Sequence, residues 1–260
     1  MRIMSWNVAG RHNSKMTDVI TALAPEVVVL SECGFRRDGK DLACQLQERG
    51  WNAEHRMRIP KRPSVVIASR LPIENLAVVG YESVPDRILA AQIGGIDVVG
   101  VYLNGVVRGP NGKQQLDWEP MRHHLVDLAK AHRDRPAIIL GDLNLGGRTL
   151  DSTDPKSPFT GREEYHEIID SGWVDAYRHM HGDELDYSHY QWRHKKLEYS
   201  GWRIDHTLVS PALANHIVRC DYLKEAAGHI LVHSDSHPRG EGAPTALSDH
   251  AAMVVEISRP

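Results

Sequence analysis

Where short apolar runs of this chain stop, side chains able to do chemistry begin: Asn7, Glu32, Asp142 with Asn144, Asp205, and Asp249 with His250. Asp142 and Asn144 are two residues apart, so on extended backbone they project to the same side. There an acid and an amide can hold and aim a water molecule or a phosphate oxygen. Glu32 and Asp249 are oxygen ligands of the kind that hard Mg²⁺ or Mn²⁺ prefers, and Mg²⁺ commonly takes only one or two protein carboxylates. Asp205, followed far along the chain by His250, supplies the pair that fixes an imidazole's tautomer and stabilises its cation. Together these parts describe metal-assisted phosphoryl or phosphodiester hydrolysis.

Residues so scattered must be brought together by strands that end at one edge. Arg2 to Val8 alternates weakly and reads as a strand; Asn13 or Ser14 then caps a helix whose Met16, Val19, Ile20 and Leu23 fall on one face, with Pro25 ending it. Glu26 to Leu30 is a continuous β-branched run, the pattern of a strand buried on both faces, and it delivers Glu32. Ala137 to Leu140 repeats the device and delivers Asp142. Between them lie a helix over Lys40 to Arg49 and short strands at 64–69, 71–79, 87–93 and 96–102, the last two joined by a Gly94-Gly95 hairpin turn. A helix with Trp118, Met121, Leu125 and Leu128 inward must hold Pro120 in its first turn or kink there. A helix near Glu163 to Ser171 and strands around 190–193, 203–209, 217–222 and 251–257 complete the chain, with Gly228 to Thr245 as a loop rich in His, Pro and Gly. The repeated order of strand, helix and acid-terminated buried strand predicts an α+β fold: two mixed β-sheets face to face with helices outside, one domain over residues 1–260.

The 260 residues carry 31 Lys+Arg against 34 Asp+Glu, a formal charge of −3, so no strong global field draws the chain to a polyanion. Yet Glu32, Asp142, Asp205 and Asp249 alone contribute −4, which leaves +1 for the rest; the mild acidity is what a metal site would itself produce. Three cysteines without C-x-x-C spacing argue against a disulfide framework and fit a reducing, cytoplasmic setting. No run approaches the ~18 apolar residues of a membrane span. Motifs of serine hydrolases, zincins, P-loops and dinucleotide folds are absent.

The segments SWNVAG, VVVLSE, VVGVYLN, AIILGDLN, GWRIDHTLVS and LSDHAAMVVEI, in that order, resemble the endonuclease/exonuclease/phosphatase superfamily, whose fold is that of deoxyribonuclease I. GWVDAYRHMH, YQWR and GWRIDHTLVSPAL resemble its exonuclease III branch of apurinic/apyrimidinic endonucleases. The resemblance implies a four-layer α/β/β/α sandwich and a Mg²⁺-dependent (or Mn²⁺-dependent) monomeric enzyme of DNA repair acting on duplex DNA. In that reading Glu32 is the principal metal ligand, with Asn7 and Asp249 beside it. Asp142 activates or orients the attacking water, held by Asn144; Tyr102 contacts the scissile phosphate or its leaving group; His250, oriented by Asp205, stabilises charge on the phosphoryl oxygens. Trp202, Ile204 and Trp192 line an abasic pocket, and Arg108 joins the substrate-binding set. The chain departs from the family pattern at Ser31-Glu32-Cys33, where Gln before and Thr-Lys after the Glu are usual, and at Leu103, where Pro is common.

Two other function classes fit part of this pattern: a phosphatase or phosphodiesterase acting on a small ester, RNA or phosphorylated headgroup, and a catalytically inactive binding module. Among the other residues, His206 faces away from Asp205 and reads as packing, Cys33 as a small buried hydrophobe, and His229, His233 and His237 as a second metal site only if their loop gathers them.

Overall fold

The computed structural model describes residues 1–34, 36, 38–54, 63–82, 84–103, 119–147, 149–154, 161–193 and 198–258. Arg108, and with it Trp118, lies outside the described residues.

Two six-stranded sheets carry the fold. The first runs β13 (Ile217–Leu223), β16 (Ala252–Ile257), β1 (Arg2–Asn7), β2 (Val27–Gly34), β4 (Pro63–Ser69), β3 (Asn52–Glu54). The second runs β5 (Glu74–Val78), β6 (Ile88–Ile93), β7 (Ile96–Tyr102), β8 (Ala137–Asp142), β12 (Asp205–Val209), β9 (Val174–Asp175). Each has a central parallel pair, β1 with β2 and β7 with β8, flanked by antiparallel neighbours. The repeated pattern in the sequence is this shared arrangement. Hairpins β10 (His189–Arg193)–β11 (Glu198–Trp202) and β14 (Glu225–Ala226)–β15 (His229–Ile230) stand apart from the sheets.

The continuous apolar runs are buried on both faces, as such runs must be. Ile3, Val27, Val29, Val65 and Ile67 meet Leu89, Val98, Ile138 and Leu140 between the sheets. From the alternate positions, Met4, Trp6, Val28 and Leu30 pack under Met16, Val19 and Ile20 of α1 (Ser14–Leu23) and Leu42 and Leu46 of α2 (Leu42–Glu48). On the other side Val99, Val101 and Ile139 pack under Met121 and Leu125 of α3 (Glu119–His132) and Ile168 of α4 (Arg162–Asp170). The result is the expected helix, sheet, sheet, helix sandwich. At Gly100 a Cβ would press on Val29 and Val65 of the facing sheet, so glycine there lets the sheets close.

Local expectations hold with shifts. Asn13 caps α1, its Oδ1 accepting from the Lys15 amide; Pro120 falls in the first turn of α3; Ile93 pairs with Ile96 across the Gly94-Gly95 turn. The segment 71–79 is strand only over β5, and 203–209 only from Asp205. Unanticipated were β3, β11, the β14–β15 pair and α5 (Ala176–His181), whose AYRHMH has no apolar stripe. Among the described residues no helix is long and apolar enough to cross a membrane.

Candidate active site

Because β1 runs parallel to β2 and β7 to β8, their C-terminal ends share edges, and the register sets Asn7 beside Ser31 and Tyr102 beside Asp142. β12 returns antiparallel to β8 with Asp205 directly opposite Asp142, and β16 antiparallel to β1, with His250 just before it. The two edges meet at a polar seam. Ser31 Oγ donates to the Val101 carbonyl across the sheets, and Asn7 Nδ2 donates to Asp142 Oδ2 at 2.8 Å and to Glu32 Oε1 at 3.2 Å. Asn7 Oδ1 accepts from the Ala9 amide at 2.9 Å, which fixes the amide group.

Backbone geometry aims the acids. Glu32 sits where the β2–β4 register shifts, at φ +54°, a left-handed conformation unusual for a residue with a side chain. Asn144, at φ +47°, turns back so that Nδ2 donates to Asp142 Oδ1 at 2.8 Å. Gly141, at φ +137°, precedes Asp142; a Cβ there would collide with the Val101 carbonyl oxygen.

His250 Nδ1–H donates to Asp205 Oδ2 at 2.7 Å, which leaves Nε2 as the nitrogen able to meet a ligand. Asp205 itself is held by Ser188, whose Oγ accepts the Ile204 and Asp205 amides, while Ser248 Oγ donates to the Asn7 carbonyl and accepts the His250 amide. Burial alone would lower the His250 pKa, but Asp205, with Asp142 and Asp249 nearby, raises it to about 10 and keeps the ring cationic. Burial, then Asp205 and Glu32, raise the Asp142 pKa against the opposing pull of His250 and Asn7. The Tyr102 phenol is pushed up by burial and by Glu32 and Asp142, so it remains a neutral O–H donor, with the Arg87 guanidinium 4.1 Å over its ring.

Donor atoms of Asp142, Asp205 and His250 lie within 4.8 Å of one another, as do those of His189, Asp249 and His250. Asp205 Oδ1 is buried without a hydrogen-bond partner. A seam crowded with carboxylates, one oxygen of which is unsatisfied, fits a metal cation; Asp249 belongs to one of these two groups and Glu32 to neither. Asn7 presents its N–H₂ group to the two carboxylates, the geometry of a group that aims Glu32.

The family profile described as Endonuclease/Exonuclease/phosphatase family matches residues 4–250, a span that takes in every one of these side chains. The chain belongs to that family. It is accordingly a hydrolase of phosphoester bonds. Among its relatives, an exodeoxyribonuclease of Bacillus subtilis is 25% identical over 234 residues, covering 84% of this chain and 91% of that one. The structure is similar to that of the 3′ phosphatase NExo from Neisseria bound to product DNA hairpin, with TM-score 0.76, 25% identity and full coverage of both chains. It shares its fold with an AP endonuclease from Archaeoglobus fulgidus at the same TM-score, 0.76, and 21% identity, again over 100% of both chains.

The family's substrate-pocket positions do not gather on one surface. His189 is paired with Trp202 and Trp192 with Tyr199, and a strand alternates its faces, so Trp202 and Trp192 point to opposite sides of the β10–β11 hairpin. Half-buried Trp202 lies 5.7 Å, ring to ring, from His189, and half-buried Ile204 leads into β12. Trp192 Nε1–H is tied to the His233 carbonyl at 3.0 Å. His237 pairs with Glu225 and His233 with the His237 carbonyl, so among the described residues the loop histidines form no metal cluster.

His189 carries no signal in the sequence. Its ring stacks 4.5 Å from that of His250, its Nδ1 is buried without a partner, and burial followed by His250 drives its pKa to about 4. An isolated antiparallel bridge between His189 and His250 brings it there. Arg87 and Ser188 are equally silent along the chain, whereas Ser248 could have been found as the first residue of the Ser-Asp-His motif.

His206 does point away from Asp205. Its Nε2 meets the Leu145 carbonyl at 2.8 Å, and its Nδ1 joins a buried network in which Arg203 binds Asp151 at 2.8 Å and Asp175 at 2.7 Å. Cys33 is fully buried and its thiol pKa is pushed far up by burial, which leaves it inert.

Proposed function

We propose that the chain is a Mg²⁺-dependent (or Mn²⁺-dependent) nuclease that hydrolyses DNA phosphodiester bonds, with abasic sites in duplex DNA and blocked or recessed 3′ ends as its substrates. The observation that carries this reading is Asp142, held from both sides by the amides of Asn7 and Asn144 and facing a His250 that Asp205 keeps cationic. The similarity to an exodeoxyribonuclease and to a DNA-bound 3′ phosphatase supports DNA as the ester.

In this mechanism Asp142 orients the attacking water and takes its proton. The neighbouring carboxylates raise the affinity of Asp142 for that proton, while the N–H groups of Asn7 and Asn144 keep its oxygens aimed. His250 Nε2–H donates to a phosphoryl oxygen as negative charge grows, and Asp205 holds the ring by Nδ1. The Tyr102 hydroxyl donates to the scissile phosphate. Glu32 and Asp249, with Asn7 beside them, would hold the divalent ion, which would supply Lewis-acid stabilisation of the phosphate charge. All these groups come from one chain, so a single-domain monomer suffices. Cys33, Cys44 and Cys220 are free thiols, which suits a reducing, cytoplasmic setting.

Incision of a duplex oligonucleotide carrying a tetrahydrofuran abasic analogue in Mg²⁺, alongside release of phosphate from a 3′-phosphorylated primer, tests the reading. No reaction on either substrate across several divalent metals would overturn it. A phosphomonoester reading draws on the DNA-bound 3′ phosphatase; phosphate release without incision would favour it.

A further inference from the structure

Beside the proposed metal site opens a cavity of about 690 Å³. One wall is β10, through Gln191 and Trp192; the other is the end of the His-, Pro- and Gly-rich stretch, from Arg239 to Ala246; Asp249 stands at its junction with the site. Arg11, from the loop after β1, and Arg239 both reach it. Arg11 donates to the Ala246 carbonyl at 2.8 Å, and among the described residues neither guanidinium has a carboxylate partner. His233 lies among them: burial and the charges of Arg239, His237 and Arg11 lower its pKa against the raising hydrogen bond to the His237 carbonyl. Trp192 is immobilised by its indole hydrogen bond to the His233 carbonyl and by Tyr199, 5.2 Å away ring to ring.

Two guanidinium groups without carboxylate partners that line one concave space make it suited to an anion, and Arg is suited to phosphate by its planar fork of donors. A fixed indole is a stacking surface for a base. The volume falls in the range of small-molecule sites, about 300–1,000 Å³, which admits one nucleotide. Of the three residues that the family resemblance places around an abasic sugar, Trp192 lines it and Trp202 and Ile204 do not.

We propose that this cavity binds one unpaired nucleotide adjoining the scissile bond, its phosphate between Arg11 and Arg239 and its base against Trp192. The inference rests on the nuclease reading and deepens it: the wall from Arg239 to Ala246 gives the site a place for one nucleotide unpaired from the duplex, at an abasic site or a frayed 3′ end. Phosphate held here sets which bond lies over Asp142.

The test measures binding without chemistry. Fluorescein-labelled trithymidylate is titrated with the full chain in EDTA and followed by anisotropy, for the wild type, Arg11→Ala/Arg239→Ala, Trp192→Leu, and Arg219→Ala on β13 as a control. The double variant binds at least ~10-fold more weakly, and the slope of log K against log salt falls by about 0.7, the loss expected for the one single-strand phosphate held between the two guanidinium groups. Trp192→Leu binds at least threefold more weakly and keeps the salt slope, and Arg219→Ala leaves both unchanged. Binding by the double variant within twofold of the wild type, or an unchanged salt slope, overturns the proposal. If the chain cleaves no DNA but the double variant loses trithymidylate, the nuclease reading fails and the cavity stands. If the chain cleaves DNA and the double substitution leaves trithymidylate binding unaffected, the cavity proposal fails and the nuclease reading stands.

Discussion

Asp142 and Asp205 lie directly opposite one another on the antiparallel pair β8–β12, yet their carboxylates are engaged in different directions, Asp142 toward Asn7 and Asn144 and Asp205 toward His250. Like charges placed directly opposite are destabilising, and Glu32 adds a third acid. The seam is arranged for a positive charge rather than for the stability of the empty chain.

Divalent metal therefore stabilises the fold. At a Mg²⁺ concentration about 100 times its dissociation constant the gain is about 2.7 kcal/mol, or several degrees in Tm for a chain of this size. Asp142→Asn removes one of the crowded charges and raises the Tm in EDTA while abolishing most activity. Calorimetry with EDTA and with Mg²⁺ checks both; a lower Tm for Asp142→Asn in EDTA would contradict the crowding argument.

His250→Ala lowers turnover by at least ~10²-fold, the usual loss for one group stabilising transition-state charge. Asp205→Asn comes close to the same loss with the imidazole still present, because the tautomer is no longer held with Nε2–H outward. Steady-state kinetics on the abasic duplex measures this. A change below threefold in either variant would show that the pair stands outside the reaction.

Acid stability depends on the Arg203 network. Burial would raise the Asp151 pKa, but Arg203, His206 and Arg178 bring it down to about 2, and Asp175 is lowered further in the same way. A carboxylate depressed in the folded state contributes stability that is complete above its unfolded pKa, about 4, and fades as pH falls toward 2. For Asp151 that is about 2 kcal/mol at neutral pH. Arg203→Leu takes the shared guanidinium from two buried carboxylates and leaves Asp151 with Arg178 and Asp175 with His206 and Tyr165, costing about 3–5 kcal/mol at pH 7. Their pKa values then rise, so stability declines less steeply between pH 4 and 2 than in the wild type. Urea unfolding across that range checks the sign.

Gly141→Ala forces a side chain into a conformation where strain costs about 1–3 kcal/mol and adds a collision with the Val101 carbonyl. The variant has a Tm lower by several degrees, and because Asp142 follows directly, the surviving folded fraction is less active per molecule. Thermal unfolding with active-site titration separates the two effects.

The strands that carry the site were legible because a strand buried on both faces is a continuous apolar run, so 27–30 and 137–140 announced themselves and their terminal acids with them. The helices α1 and α3 were legible from spacing and caps. By contrast α5 and β11 are short and polar, held by tertiary contacts, and their sequences have no period to read.

By itself the order of motifs determined the family, the two-sheet architecture and the list of polar residues that end its strands, because those are local patterns written along the chain. Tertiary structure alone decided their partners. Asn7 becomes a clamp on two carboxylates, Trp192 and Trp202 part to opposite faces, His189 is brought against His250, and Arg11 and Arg239 come to line one cavity. Each of these depends on register and on the closing of distant segments, and a shift of one residue in a strand would turn every such side chain to the other face.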